Sequence, residues 1–114
     1  PDMSLYQEIL FLKHFFKGLW CVENVVSYYQ PLIQPMTVQR HNFWCNFLIR
    51  DFSLPADNIE KGLRKDWEEK TGFDLSKYGG IRKDTVLRNC VAPALGKHIL
   101  DLAIHPIEYQ KGIF

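Results

Sequence analysis

The sequence has few cysteines, no long apolar run and almost no net charge, and each of these shortages excludes a class of protein. Its three cysteines, Cys21, Cys45 and Cys90, lie far apart and include no CxxC pair. This spacing argues against a disulfide framework and against a zinc site, and favours a reducing compartment, for which we expect the cytoplasm. No apolar run approaches the roughly 18 residues that a membrane span requires, and no signal peptide is visible.

The charge and length set further bounds. A net charge of +1 over 114 residues gives no global electrostatic attraction to nucleic acid, so any DNA contact has to be local. With 46% hydrophobic and 24% charged residues, the composition is that of an ordinary globular protein with one modest core. The first residue is Pro1 rather than Met, from which we expect a fragment, a processed chain or an excised piece.

The first quarter of the chain has the pattern of a helix followed by a buried strand. Ser4 and Gln7 form a capping-box pattern at the start of a helix predicted over 4–17, which Gly18 ends. A short apolar run over 19–26 then suits a buried strand. A helix, a glycine and a buried strand make half of a βαβ unit, so the predicted fold class is α/β.

The remaining elements follow from proline, glycine and apolar spacing. We predict a loop over 27–39, a strand over 43–49, a charged helix over 56–70, a loop over 71–82 and a final helix over 93–104.

Three segments, taken in order, resemble the later motifs of one enzyme family. The segment WCVENVVSYY, residues 20–29, places Glu23-Asn24-Val25 at a strand end after a helix. The segment VQRHNFWCNFLI, residues 38–49, has a glutamine and an arginine ahead of a strand. The segment LRNCVAPALGKHILDLA, residues 87–103, has an NxVxP pattern before a helix. Together they resemble the C-terminal part of the DNA cytosine-C5 methyltransferases.

The resemblance covers residues 1–50 and 83–104 and implies a partial Rossmann-like, S-adenosylmethionine-dependent methyltransferase fold. It implies one partial catalytic domain over 1–114: residues 1–50 carry the ENV and arginine segments, 51–82 form a short insert where the family has its target-recognition region, and 83–114 hold the final motif and helix. The family usually has two arginines at alternate positions after its glutamine. Here Gln39-Arg40 is followed by His41.

Two parts of the family pattern are missing from the sequence. The Pro-Cys dipeptide that carries the nucleophile and the glycine-rich cofactor turn are expected upstream of Pro1. The resemblance therefore implies part of an enzyme that transfers a methyl group from S-adenosylmethionine to cytosine in DNA, inactive alone. Its expected partners are DNA and the N-terminal half, or the larger subunit of a split enzyme. The alternative is a non-catalytic interaction or regulatory module derived from the same fold.

Glu23 is the catalytic residue that the resemblance implies. Cytosine C5 becomes nucleophilic only after a thiolate adds to C6, and this addition needs an extrahelical base polarised on its N3 side. The family's ENV glutamate holds N3 and the exocyclic amine. The sequence pattern alone supports a functional role for Glu23 in part, because a carboxylate at the end of an apolar strand is costly to bury without a partner. The alternative is a strand-end glutamate paired with a lysine or exposed to water.

Other site residues follow from the same motifs. Asn24 and Arg40 are assigned to substrate binding, with a backbone-organising asparagine and a solvated arginine as alternatives. Asn89 and Cys90 are assigned to the border of the cofactor pocket, with Asn89 as a turn or cap residue in the alternative. His41 is expected to be structural.

The cysteines are not expected to be catalytic. Cys21 and Cys45 lie inside apolar strands, where a thiol is normally a small inert hydrophobe.

Overall fold

The computed structural model describes residues 1–50, 68 and 72–105. It contains three helices and three strands within these ranges: α1 (Met3–Phe15), β1 (Cys21–Val25), β2 (Met36–Val38), β3 (His41–Cys45), α2 (Lys83–Asn89) and α3 (Pro93–Ile104). The predicted helix over 56–70 and most of the 51–82 insert lie outside the described residues.

The strands form one sheet in the order β1-β3-β2, with β3 antiparallel to both neighbours. Because both outer strands oppose β3, β1 and β2 run in the same direction. A reversed strand next to parallel ones is common in doubly wound folds. Three strands with no adjacent parallel pair do not define such a fold, so the Rossmann-like arrangement stays a prediction.

A helix covers each face of this sheet. Trp44 packs on one face with Tyr6 and Ile9 of α1. Its neighbours Phe43 and Cys45 point to the other face, because side chains alternate along a strand, and there they pack against α3. The helix residues of this second cluster are Leu95, Ile99 and Leu102. The result is three layers, helix, sheet and helix, with β3 buried along its whole length.

The first helix was predicted nearly correctly, but its cap was not. It begins one residue earlier than expected, because the Asp2 carboxylate accepts a hydrogen bond from the backbone N–H of Ser4 at 3.0 Å. The N-cap is therefore Asp2, and Ser4 lies inside the helix. The helix ends at Phe15 rather than at Lys17.

Two short elements were missed and one strand was misplaced. The predicted loop over 27–39 contains β2, and α2 follows the predicted loop over 71–82. Strand β3 occupies 41–45 rather than 43–49. An element of three or seven residues carries too little periodicity to be seen, and its structure depends on partners, as with Leu87 of α2 packed on Leu75. Helix α3 is confirmed at Pro93–Ile104.

In the ranges 1–50 and 72–105, no helix combines the length and apolar character that crossing a membrane would require.

Candidate functional site

The three motif segments meet at one end of the sheet. Nη2 of Arg40 donates a hydrogen bond to the carbonyl oxygen of Arg88 at 2.8 Å, which joins the arginine segment to the final motif. An open cleft of about 440 Å³ lies at the same place, lined by Val25, Arg40, Thr85, Arg88 and Asn89. Val25 and Asn89, which are 64 positions apart in the sequence, thus line one surface.

A two-residue hairpin loop sets the position of the arginine. Gln39 and Arg40 connect β2 to β3, since Val38 and His41 pair across the ladder. Gln39 has φ of +55°, a left-handed conformation that glycine, asparagine and aspartate adopt more readily. The carbonyl of Arg40 accepts a hydrogen bond from the N–H of Val26 at 2.9 Å, which ties the loop to β1. The pairing of β3 with both β1 and β2 therefore holds the strained turn in place.

The central contact of the site joins Glu23 to His41. Glu23 lies opposite Phe43 and His41 lies opposite Val25, so the two side chains are diagonal neighbours on the face that packs against α3. Nδ1 of His41 is 2.9 Å from Oε1 of Glu23. The His41 side chain is 2% exposed and that of Glu23 is 30% exposed. The carboxylate therefore keeps access to solvent while the imidazole is enclosed.

This contact changes the interpretation of both residues. Of the two sequence alternatives for Glu23, a lysine partner is wrong, because the partner is an imidazole. His41 was expected to be structural, and it is buried, but it also contacts the candidate catalytic carboxylate. One feature of the sequence could have indicated this contact: His41 is a basic residue next to the position where the family's second arginine is missing.

Asn24 points away from this site. Successive side chains of β1 lie on opposite faces, so Asn24 and Glu23 diverge. Oδ1 of Asn24 accepts a hydrogen bond from the N–H of Val25 at 3.0 Å. This contact is the backbone-organising one given above as the alternative to substrate binding.

Asn89 and Cys90 lie where α2 ends. Asn89 lines the cleft, and Sγ of Cys90 donates to the carbonyl of Val86 at 3.2 Å. Burial and the charge of Glu23 raise the pKa of the Cys90 thiol. The sulfur is therefore held in its thiol form at neutral pH, which makes it a poor nucleophile.

The described residues do not fit S-adenosylmethionine as a complete site. The cofactor carries a sulfonium cation, whereas the described residues that line the cleft include Arg40 and Arg88 and no carboxylate. Two guanidinium groups suit an anion such as a phosphate. Asn89 offers an uncharged amide, so the assignment of Asn89 and Cys90 to the cofactor stays a prediction about the border of that pocket.

A second cavity of about 610 Å³ lies at the opposite end of β3, between α1 and the sheet. Its described lining is mostly apolar and aromatic, including Phe16, Trp20 and Trp44, with Lys13 as its charged side chain. It offers no carboxylate or imidazole among the described residues, whereas the Glu23 end of the sheet offers both.

No protein-family model, no curated protein and no solved structure matches the chain. The resemblance to the cytosine-C5 methyltransferases therefore depends on the three motifs.

Proposed function

We propose that this chain is the C-terminal part of a DNA cytosine-C5 methyltransferase, which transfers a methyl group from S-adenosylmethionine to cytosine. The observation that carries the proposal is the contact between Glu23 and His41, placed beside Arg40 and the final motif. Residues of all three segments line one cleft, and the first segment also contributes a carboxylate that is 30% exposed, which supports the family pattern.

Glu23 is the group that polarises the base. Its Oε1 is held by His41, and its Oε2 makes no hydrogen bond to another described residue. A carboxyl group with one oxygen fixed and the other open can present that oxygen to cytosine N3. The partial exposure of Glu23 leaves room for an extrahelical base to approach.

His41 is the positioning residue in this scheme. Its buried ring fixes the rotamer of Glu23, because Nδ1 of His41 lies 2.9 Å from Oε1. His41 thereby orients the glutamate in a motif that has one arginine where the family usually has two.

Arg40 is the residue that we assign to the DNA backbone. Its guanidinium borders the cleft together with that of Arg88, and the pair provides a local positive surface on a chain of net charge +1. Such a surface positions phosphate without reading sequence. Since Arg40 also donates to Arg88, it contributes to holding the two motifs together.

Two surface features support assembly with further protein. Alternate residues of β1 form backbone hydrogen bonds with β3. The backbone N–H and C=O groups of Cys21 and Glu23, which lie between them, point away from β3 to the outer edge of the sheet, where no described strand pairs with β1. The outer side of α1 exposes Leu10, Phe11 and Phe15. An open strand edge next to an apolar helix face suits a larger partner, which is the half that would bring the nucleophile and the cofactor turn.

A trapping experiment tests the proposal. The complete protein that contains this chain, with whatever subunit co-purifies, is incubated with S-adenosylmethionine and a DNA duplex containing 5-fluorocytosine. Fluorine at C5 cannot leave as a proton does, so a cytosine-C5 methyltransferase accumulates a covalent protein–DNA complex that survives denaturation. We expect that complex, and we expect the 114-residue chain alone to form none.

Two outcomes contradict the proposal. Absence of the covalent complex, together with unchanged cytosine in digested DNA, leaves the non-catalytic interaction module. Methyl transfer by the isolated chain shows that the nucleophile lies within these residues, contrary to the assignment of the cysteines.

A further inference from the structure

Two cysteines that are 24 positions apart in the sequence lie directly opposite each other in the sheet. Cys21 of β1 pairs with Cys45 of β3, and their Sγ atoms are 2.6 Å apart. Both are free cysteines. The sequence spacing had indicated isolated thiols, so this pairing is a finding of the fold alone.

The position in the ladder suits a bridge. The N–H of Val26 donates to the carbonyl of Arg40, and the N–H of Asn46 donates to the carbonyl of Trp20, so these are hydrogen-bonded pairs at the two ends of the β1–β3 ladder. Hydrogen-bonded and non-hydrogen-bonded pairs alternate between them. By alternation, Cys21 and Cys45 form a non-hydrogen-bonded pair, whose Cα atoms are about 4.5 Å apart and whose side chains are closest. Disulfides span Cα separations of roughly 4.4–6.8 Å, so the bridge fits without moving a strand.

The two thiols differ in a way that gives each a part in the chemistry. Cys21 is exposed, whereas Cys45 is buried against α3. The Cys45 thiol donates toward Cys21, which lowers the pKa of Cys21, while burial and the charge of Glu23 oppose that shift. The same contact and burial raise the pKa of Cys45. Cys21 is thus the accessible thiol with the lowered pKa, and Cys45 is the enclosed thiol behind it.

We infer that Cys21 and Cys45 are a redox modification site, a dithiol that small-molecule disulfides such as oxidised glutathione convert to a cross-strand disulfide. The Cys21 thiolate attacks one sulfur of glutathione disulfide, that S–S bond breaks, and one glutathione thiolate leaves and takes a proton from water. Cys45 then loses its proton to solvent, its sulfur attacks that of Cys21, and the second glutathione leaves. The protein loses two electrons and two protons, and one glutathione disulfide becomes two glutathiones.

The bridge would act on the strand that carries Glu23. It joins β1 to β3 two residues before Glu23 and closes a loop that includes the hairpin and His41. Linking two strands restricts the unfolded chain, so the oxidised protein should melt at a higher temperature than the reduced one. This inference does not depend on the methyltransferase proposal, because it needs only the register of β1 and β3.

The test uses the full chain, reduced and then exposed to oxidised glutathione at neutral pH. We expect the intact mass to fall by two hydrogen atoms and a proteolytic digest to contain a peptide pair that links Cys21 to Cys45. The melting temperature should rise on oxidation and return to its original value on reduction. The Cys90→Ser variant serves as the matched control, and it should oxidise as the native chain does.

Single substitutions separate the two roles. Cys45→Ser should stop at a stable glutathione adduct on Cys21, whereas Cys21→Ser should react far more slowly, because its remaining strand thiol is buried. A native chain that accumulates the adduct on Cys21 without closing would overturn the inference. So would a bridge that involves Cys90.

Discussion

His41 and Glu23 lie 18 positions apart in the sequence and are joined by a contact of 2.9 Å between Nδ1 and Oε1. The ring is fully enclosed and the carboxylate is not, so the pair has an inner and an outer member. This arrangement allows chemistry and stability to be tested on different residues.

Replacing the outer member should affect the reaction. Glu23→Gln keeps the shape of the side chain and removes its ability to supply a proton. General acid catalysis is typically worth about 10²–10⁴ in rate, so the complete enzyme should lose roughly 3–5 kcal/mol of transition-state stabilisation. Single-turnover kinetics should show the loss in the chemical step, with DNA affinity nearly unchanged. An unchanged rate per folded molecule with a lowered melting temperature would instead indicate a purely structural glutamate.

Replacing the inner member should affect stability first. His41→Ala opens a cavity and leaves Glu23 without its partner, at a cost of about 2–4 kcal/mol in the free energy of unfolding. His41→Gln keeps a donor within reach of Oε1 and should cost less, because the contact with Glu23 is retained. Urea unfolding of both variants gives the comparison. Equal stability of His41→Ala and the native chain would show that the contact contributes nothing.

Substituting Arg40 should weaken the link between two motifs. Arg40→Ala removes the hydrogen bond to the Arg88 carbonyl, which should cost about 1 kcal/mol of stability, and it removes a positive charge from the cleft. In the complete enzyme we expect weaker DNA binding with a smaller salt dependence. Arg40→Lys keeps the charge and should restore most of the affinity. If Arg40→Ala binds DNA as the native enzyme does at every salt concentration, Arg40 makes no phosphate contact.

Relieving the strained turn should stabilise the hairpin. Gln39→Gly places in the left-handed conformation a residue that adopts it without steric cost, so we expect a gain of up to about 1 kcal/mol. Gln39→Val places a β-branched side chain at φ of +55° and should lose about 1–2 kcal/mol. Thermal melting of Gln39→Gly and Gln39→Val tests this prediction. A higher melting temperature for Gln39→Val would show that the loop has a different conformation.

Alkylation should distinguish the cysteines by pH. The pKa of Cys21 is lowered mainly by the Cys45 thiol, so its thiolate forms at lower pH than in a free cysteine. The pKa of Cys90 is raised by burial and then by the charge of Glu23, so its thiolate forms at higher pH. As pH rises, iodoacetamide should modify Cys21 in the reduced chain first. Cys45→Ala removes the donor and should move the Cys21 profile to higher pH. Modification of Cys90 ahead of Cys21 would contradict both assignments.

Some of this architecture could be predicted from the sequence, and the part that could not has a physical cause. Helices α1 and α3 have apolar spacing over three turns, and Pro93 marks the start of α3, so both were predicted within two residues. The short elements β2 and α2 depend on contacts with residues outside them, so the local sequence pattern does not predict them. The resemblance assigned Glu23, Arg40 and the final motif to one site, and this assignment stays a prediction. The pairing of Glu23 with His41 instead depends on strand register, which a sequence leaves open.

The central place of β3 in the sheet determines the order in which the site can form. Strands β2 and β3 are joined by two residues, and such hairpins close in about 1–10 μs. Pairing β1 with β3 instead requires closing the loop between Val25 and His41. This loop is longer than the two-residue hairpin loop, so its closure costs more conformational entropy. The loop that carries Arg40 can therefore close through local contacts, whereas the contact between Glu23 and His41 requires the longer closure.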